Sequence, residues 1–184
     1  SPSRSLARDG RRRARISIRM DQSGRRFGVL GSTWFTIITL HFTSDAFSLP
    51  AHSCHIDTAW LWPYRVTQQK TARSWSTQVD LMDRYPEHRF ACSSAQQYKW
   101  LEAQYPALFK RIAEKVKEGK FHPIGGAWVE HDANMPSGEA LVRQMVFGQR
   151  FFESRFGVRS TVGWLPDSFG LTGALPQLFR SAGE

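Results

Sequence analysis

From residue 51 onward, short apolar runs of strand length alternate with amphipathic segments, and this alternation limits the possible folds more than any other feature of the chain. TQQKTARSWSTQVDLMDRY (67–85) carries Ala72, Trp75, Val79 and Met82 at three- and four-residue spacing, which predicts a helix ending before Pro86. RFACSS (89–94) reads as a short strand. AQQYKWLEAQY (95–105) and PALFKRIAEKVKEG (106–119) follow as two helices, the second opened by Pro106, stopped by Gly119, and apolar at Leu108, Ile112 and Val116. KFHPIGG (120–126) reads as another strand with a glycine turn. SGEALVRQMVFGQRFFESRFG (137–157) is a long helix with Ser137 as its N-cap and Gly157 as its end. STVGWL (160–165) is expected to be one more strand, and LPQLFRSAG (175–183) to open a last helix behind Pro176.

Strands that alternate with helices imply βαβ units and a parallel sheet. The expected fold class is therefore α/β: a beta/alpha barrel-like parallel sheet with helices, incomplete within these residues. In such sheets ligands collect beyond the carboxyl ends of the strands. The densest polar clusters, HSCHID (52–57), GGAWVEHD (125–132) and WLPDSFG (164–170), all fall at strand-to-helix junctions. They should converge on one rim.

The net charge of +9 suggests a nucleic-acid partner until it is divided along the chain. Residues 1–50 hold nine arginines and no lysine against three aspartates, whereas residues 51–184 are nearly balanced, with sixteen basic and thirteen acidic groups. The arginines have no aromatic interleaving and no nucleic-acid motif, so no specific nucleic-acid partner is expected. The apolar run at 27–42 has sixteen residues, fewer than the ~20 of a bilayer-spanning helix. Residues 1–50 could be a transit segment, a signal sequence with an overlong basic region, or an Arg-rich leader outside any folded domain. The third reading is preferred, with 51–184 as the domain. Two cysteines, Cys54 and Cys92, and no glycosylation sequon suit a reducing, cytoplasmic setting.

In CHID, His55 and Asp57 lie two residues apart, so on an extended strand both would face the same side, while Cys54 would face the other as a small buried hydrophobe. An imidazole and a carboxylate on one side suit Zn²⁺, although a lone His-x-Asp pair is more often a plain hydrogen bond. Asp167 in WLPDSFG is placed either to cap the next helix or to project into the crevice as ligand, base or nucleophile. Three mixed His and Asp ligands describe a catalytic metal rather than a structural one. Trp60 is the best candidate for stacking on a sugar face, because most tryptophans are core or pocket wall. Glu130 and Asp132 sit on a glycine-hinged loop, either solvated or in contact with the substrate or the ligands.

Taken together, CHIDTAWLWP, GGAWVEHDANMPSGEALVRQ and WLPDSFG resemble the retaining alpha-mannosidases of glycoside hydrolase family 38, the cytosolic and vacuolar branch more closely than the others. The resemblance covers roughly residues 52–184, and implies the N-terminal part of a catalytic domain. It implies His55, Asp57 and Asp167 as zinc ligands, with Asp167 also the catalytic nucleophile. Trp60, Phe169 and Asp132 fall in its substrate-binding set. The implied substrate is a mannose-containing oligosaccharide, and the implied location is the cytoplasm, with the vacuole as alternative. The family's last zinc ligand and its acid/base aspartate are expected further downstream, so these residues alone should be inactive. The chain departs from the family in having His52 and Ser53 where a glycine and a histidine are usual, and SDAFSLPA in place of an apolar strand. Two other readings compete with the mannosidase. A zinc-dependent carbohydrate deacetylase would need a second histidine ligand, and His88, His122 and His131 sit in no fitting motif. A basic nucleic-acid-binding protein would show binding that falls steeply with salt.

Overall fold

A computed structural model describes residues 52–182. The Arg-rich leader and its 27–42 apolar run lie outside the described residues. Three strands, β1 (His52–Ser53), β2 (Phe90–Cys92) and β3 (Phe121–Pro123), form a parallel sheet in sequential order. His52 pairs with Phe90, which in turn pairs with Phe121. Helix α1 (Tyr64–Arg84) crosses from β1 to β2; α2 (Ala95–Gln104) and α3 (Pro106–Lys117) cross from β2 to β3. Two further helices, α4 (Gly138–Phe156) and α5 (Leu175–Ala182), follow the sheet. The result is the expected α/β class with parallel pairing.

Each helix has a local cause. On α1 the buried residues Thr67, Thr71, Ala72, Trp75, Val79 and Met82 form one stripe, and the helix starts directly behind Pro63, three residues earlier than its apolar spacing predicts. Pro106 opens α3, where its missing N–H leaves no hydrogen bond unmade. Ser137 Oγ accepts the Ala140 N–H at 3.3 Å, and Gly157 ends α4 at φ 68°, a conformation that costs glycine little.

These helices bury their stripes in an aromatic core. Trp75 lies against Tyr98 at 4.4 Å between ring centroids and against Phe121 at 5.6 Å. Phe90 meets Phe121, and Phe152 meets Tyr98, both at 5.2 Å and edge to face. Each ring buried here removes enough apolar surface from water to contribute about 1.5–3 kcal/mol before entropy is counted. On the outer surface Arg111 bridges Asp80 and Asp83 at 2.7 and 2.8 Å, joining α3 to α1. No described helix is long and apolar enough to cross a membrane.

One expected strand is absent. STVGWL is an irregular segment, because its backbone is paired to a side chain instead of to a neighbouring strand. The buried Gln149 amide accepts the Ser160 N–H at 2.9 Å and donates to the Ser160 carbonyl at 2.8 Å. Trp164, four residues on, still buries itself against Ala91 and Ile124, so the segment reaches the sheet without extending it.

Candidate active site

β1 stops at Ser53, so among the described residues Cys54 to Asp57 run beyond the paired sheet ladder. Their carbonyls need other donors. The Cys92 thiol reaches Cys54 O at 3.0 Å, the Gln97 amide reaches Ile56 O at 2.6 Å, and Thr67 Oγ1 reaches Asp57 O at 2.9 Å. Thr67 and Gln97 are fully buried polar residues, on α1 and α2 respectively. The segment carrying His55 and Asp57 is therefore held from the helix side. Thr67 also accepts the Trp62 indole N–H at 2.8 Å, and Lys70 Nζ lies 3.6 Å from the Trp62 ring centroid.

The second segment follows β3. Ala95 and Gln96, opening α2, donate their N–H groups to the carbonyls of Ala127 and Trp128 at 3.3 and 2.9 Å. Ser94 adopts a left-handed backbone, φ 65°, rare for a non-glycine residue, and its hydroxyl accepts the Glu130 N–H at 3.1 Å. Gly148 lets α4 pack onto this loop: a Cβ there would lie 2.3 Å from Gly126 O. Beyond it, Asp132 is exposed and its Oδ1 accepts the N–H groups of Asn134 and Met135 at 2.8 and 2.7 Å. Those two bonds hold its carboxyl below the usual range.

The third segment carries Asp167 in a turn after Trp164 and Leu165. It is tied to the second: Ala133 and Leu171 form a parallel bridge, and the Thr172 N–H reaches Ala133 O at 3.2 Å.

These three segments enclose a cavity of about 770 Å³, within the range of small-molecule sites. All six residues singled out from the sequence, His55, Asp57, Trp60, Asp132, Asp167 and Phe169, line it. Trp60 is 66% and Phe169 92% exposed, so both stand at an open rim rather than in a closed pocket. Trp128 does not line the cavity; it packs edge to face against Phe147 and Phe151. Cys54 packs against the core, as expected of a small hydrophobe, yet it also lines the cavity wall; burial pushes its thiol up to about 11.

Burial and the nearby Asp167 charge raise the Asp57 carboxyl, against the opposing pull of His55 and Lys70. The Asp57 carboxylate thus feels both a second carboxylate and an imidazole, donor types that suit zinc. Among the described residues, however, no three His, Cys, Asp or Glu side chains lie close enough together to hold a metal ion.

Two further residues line the cavity: Glu130, expected either to be solvated or to contact substrate or ligands, and His131, which sits in no fitting motif. Glu130 is largely buried: its Oε1 accepts the Ser93 hydroxyl at 2.5 Å and the Trp164 indole N–H at 3.2 Å, while Oε2 lies 4.0 Å from His55 Nδ1. Burial raises its carboxyl above the ordinary range, opposed by the Ser93 bond, His55 and Trp164. His131 is also buried; its Nδ1 donates to the Asp132 carbonyl at 2.8 Å, and its Nε2 has no hydrogen-bond partner among the described residues. The Ser93 and Trp164 partners lie more than thirty residues from Glu130, so no local spacing marks the contact.

A parallel beta/alpha framework carries this carboxylate-lined cavity, and comparison with known proteins gives the family. Residues 48–184 match the family model described as the glycosyl hydrolases family 38 N-terminal domain, and the chain belongs to that family. It is 52% identical over 132 residues to an alpha-mannosidase of Saccharomyces cerevisiae, covering 71% of this chain and 12% of the yeast protein. It is 54% identical over 130 residues to human alpha-mannosidase 2C1, with the same coverage, 71% of this chain and 12% of the relative. The chain thus spans about 12% of the length of these curated relatives. Among solved structures, an alpha-mannosidase from Enterococcus faecalis superposes with TM-score 0.65 at 24% identity, covering 72% of this chain and 15% of that one. A 4-alpha-glucanotransferase from Thermococcus litoralis reaches 0.54 at 15% identity, over 71% of this chain and 20% of that one, a likeness of fold alone.

Proposed function

We propose that the chain carries the nucleophile-bearing part of an alpha-mannosidase active site. The reaction is hydrolysis of terminal non-reducing alpha-D-mannose from oligosaccharides, with retention of configuration. One observation carries this reading: six residues from three separate segments, each matching the family pattern, line a single cavity.

Retaining hydrolysis needs two carboxyl groups about 5–5.5 Å apart, one nucleophilic and one acidic. Asp167 is the nucleophile. Its carboxylate oxygen bonds to the anomeric carbon as the glycosidic C–O bond breaks, and water later displaces it. Trp60 and Phe169, open at the rim, offer apolar faces to the sugar's C–H groups. Asp132, its Oδ1 committed to its own loop, keeps Oδ2 for a substrate hydroxyl.

The family resemblance assigns His55, Asp57 and Asp167 as zinc ligands, although in the described structure they do not stand close enough together to hold the ion; bound zinc would supply Lewis-acid polarisation of the mannose hydroxyls. The mutual repulsion of Asp57 and Asp167 supports this assignment, because a cation relieves it. The acid that protonates the leaving oxygen, and the last zinc donor, are assigned to residues outside this chain. The 184-residue polypeptide is accordingly inactive alone. A cytoplasmic setting, with the vacuole as alternative, is part of the same reading, supported by the free thiols of Cys54 and Cys92.

The test is a chimaera in which residues 52–182 replace the matching segment of the yeast alpha-mannosidase. Release of mannose from an aryl alpha-mannoside, abolished by Asp167→Asn, is expected. A chimaera that folds but stays inactive would overturn the reading, as would full activity in its Asp167→Asn variant. Robust turnover by the 184-residue chain alone would overturn its assigned inactivity.

A further inference from the structure

His131 sits on the loop that follows β3, is 8% exposed, and lines the cavity together with its neighbours Glu130 and Asp132. Its Nδ1 meets the Asp132 carbonyl oxygen at 2.8 Å. A carbonyl can only accept, so Nδ1 carries the proton and, in the neutral ring, Nε2 is left as a bare acceptor. That atom is closed to bulk water and meets no donor among the described residues.

An unpaired buried acceptor gives up its bond to water and receives nothing in return, so folded chains keep few of them. The Trp75 indole N–H is a second unpaired buried group, but it lies in the closed core beside the Cys92 thiol. His131 differs in standing at a cavity wall, where a ligand can supply what the chain does not.

The backbone on either side of the ring is fixed. The Glu130 N–H is held by Ser94 Oγ at 3.1 Å, the N–H groups of Asn134 and Met135 by Asp132 Oδ1, and Ala133 pairs with Leu171. The loop is therefore not free to swing away and pair Nε2 elsewhere, whereas the imidazole can turn a little about its Nδ1 contact. Bonds of this kind commonly close only when a site is loaded.

We propose that His131 is a specificity-determining residue: its Nε2 accepts a hydroxyl hydrogen from the sugar held in the cavity. The ligand class follows from the chemistry, because a bare imidazole nitrogen needs an O–H or N–H donor and sugars present several of the first. A sugar lacking the right hydroxyl leaves Nε2 unpaired and binds worse. The choice of a mannoside rests on the mannosidase reading. The demand for a donor does not.

Asparagine and glutamine at 131 separate the two ring nitrogens. The asparagine NH₂ group falls near the place of Nδ1, so His131→Asn keeps a donor for the Asp132 carbonyl and removes the acceptor. Glutamine is longer by one methylene and brings its amide near the place of Nε2, so His131→Gln restores an acceptor there. A merely structural histidine would be replaced better by asparagine than by glutamine.

The experiment follows binding of methyl α-D-mannopyranoside and its monodeoxy analogues to the ¹⁵N-labelled 184-residue chain by nuclear magnetic resonance, at a pH where its histidines are neutral. The His131 Nε2 resonance is expected to move with the mannoside, and one deoxy analogue should bind the parent chain about tenfold more weakly. His131→Asn should bind the mannoside about tenfold more weakly than the parent and lose its discrimination against that analogue, while His131→Gln should recover part of both. An Nε2 that stays unmoved up to the solubility limit of the sugar, or equal affinity of the parent and His131→Asn, overturns the proposal; mannoside shifts elsewhere in the cavity would then leave the mannosidase reading standing. If methyl α-D-glucopyranoside moves Nε2 and binds as well as the mannoside, the acceptor role stands and the mannose assignment fails. Should His131→Asn not fold, the deoxy series on the parent chain decides: an affinity that no single hydroxyl controls would overturn the role.

Discussion

On the helix side of the sheet, Trp75, Tyr98, Phe121 and Phe152 bury their rings against one another; at the carboxyl ends, Cys54 to Asp57 and Ala127 to Asp132 hang on individual hydrogen bonds from distant side chains and backbone amides. The first region is held by area removed from water, which tolerates small shifts in any one contact. The second is held by directional bonds, each of which fails if its donor moves. A chain of this kind can lose the order of its cavity long before it loses its fold.

The largest effect should come from the core. Trp75→Ala, which empties a fully buried site, should cost about 3–5 kcal/mol in urea denaturation and lower cavity and core together. Gly148→Ala forces a methyl against the Gly126 carbonyl, and should cost about 1–3 kcal/mol while displacing the loop that carries Glu130. A Gly148→Ala chain with unchanged stability would show that the close approach of α4 is not required.

Gln97→Leu separates the two regions most clearly. It leaves the Ile56 carbonyl without its donor, and should cost about 1–3 kcal/mol, with hydrogen exchange accelerated at residues 55–58 before the amides of α1 or α3. Uniform acceleration across the chain would break the distinction.

The smallest effect should come from the outer surface. Lys115 and Arg111 hold the Asp83 carboxyl below its ordinary range, and Lys115 and Lys120 do the same for Glu118. A depressed carboxylate contributes stability that is present above its unfolded pKa, about 3.9 for Asp and 4.3 for Glu, and lost as pH falls through the lower folded value. Asp83→Asn should therefore change the denaturation midpoint little at pH 7, and reduce the loss on acidification at low salt. A large change at neutral pH would show that this exposed network matters more than its screening allows.

The same division decides how much was legible in the sequence. Helix α1 was readable from Ala72, Trp75, Val79 and Met82, and α4 from Ser137 and Gly157, because periodicity and caps are local. The gathering of His55, Asp57 and Asp132 followed from the rule that strand ends share a rim; Asp167 joins them from a segment that is not a strand. STVGWL misled because its strand-like spacing is overridden by Gln149, whose side chain takes up both backbone groups of Ser160. Glu130 was legible as a candidate, but its burial and its partners were not, because Ser93 and Trp164 approach it only in three dimensions.

The three anchored carbonyls of Cys54, Ile56 and Asp57 also bear on protein design. Copying Cys-His-Ile-Asp onto the strand end of another scaffold would transplant donor atoms without the buried threonine, glutamine and cysteine that orient them. The portable unit is those four residues together with Thr67, Cys92 and Gln97, so a graft must include one position from each of three succeeding elements.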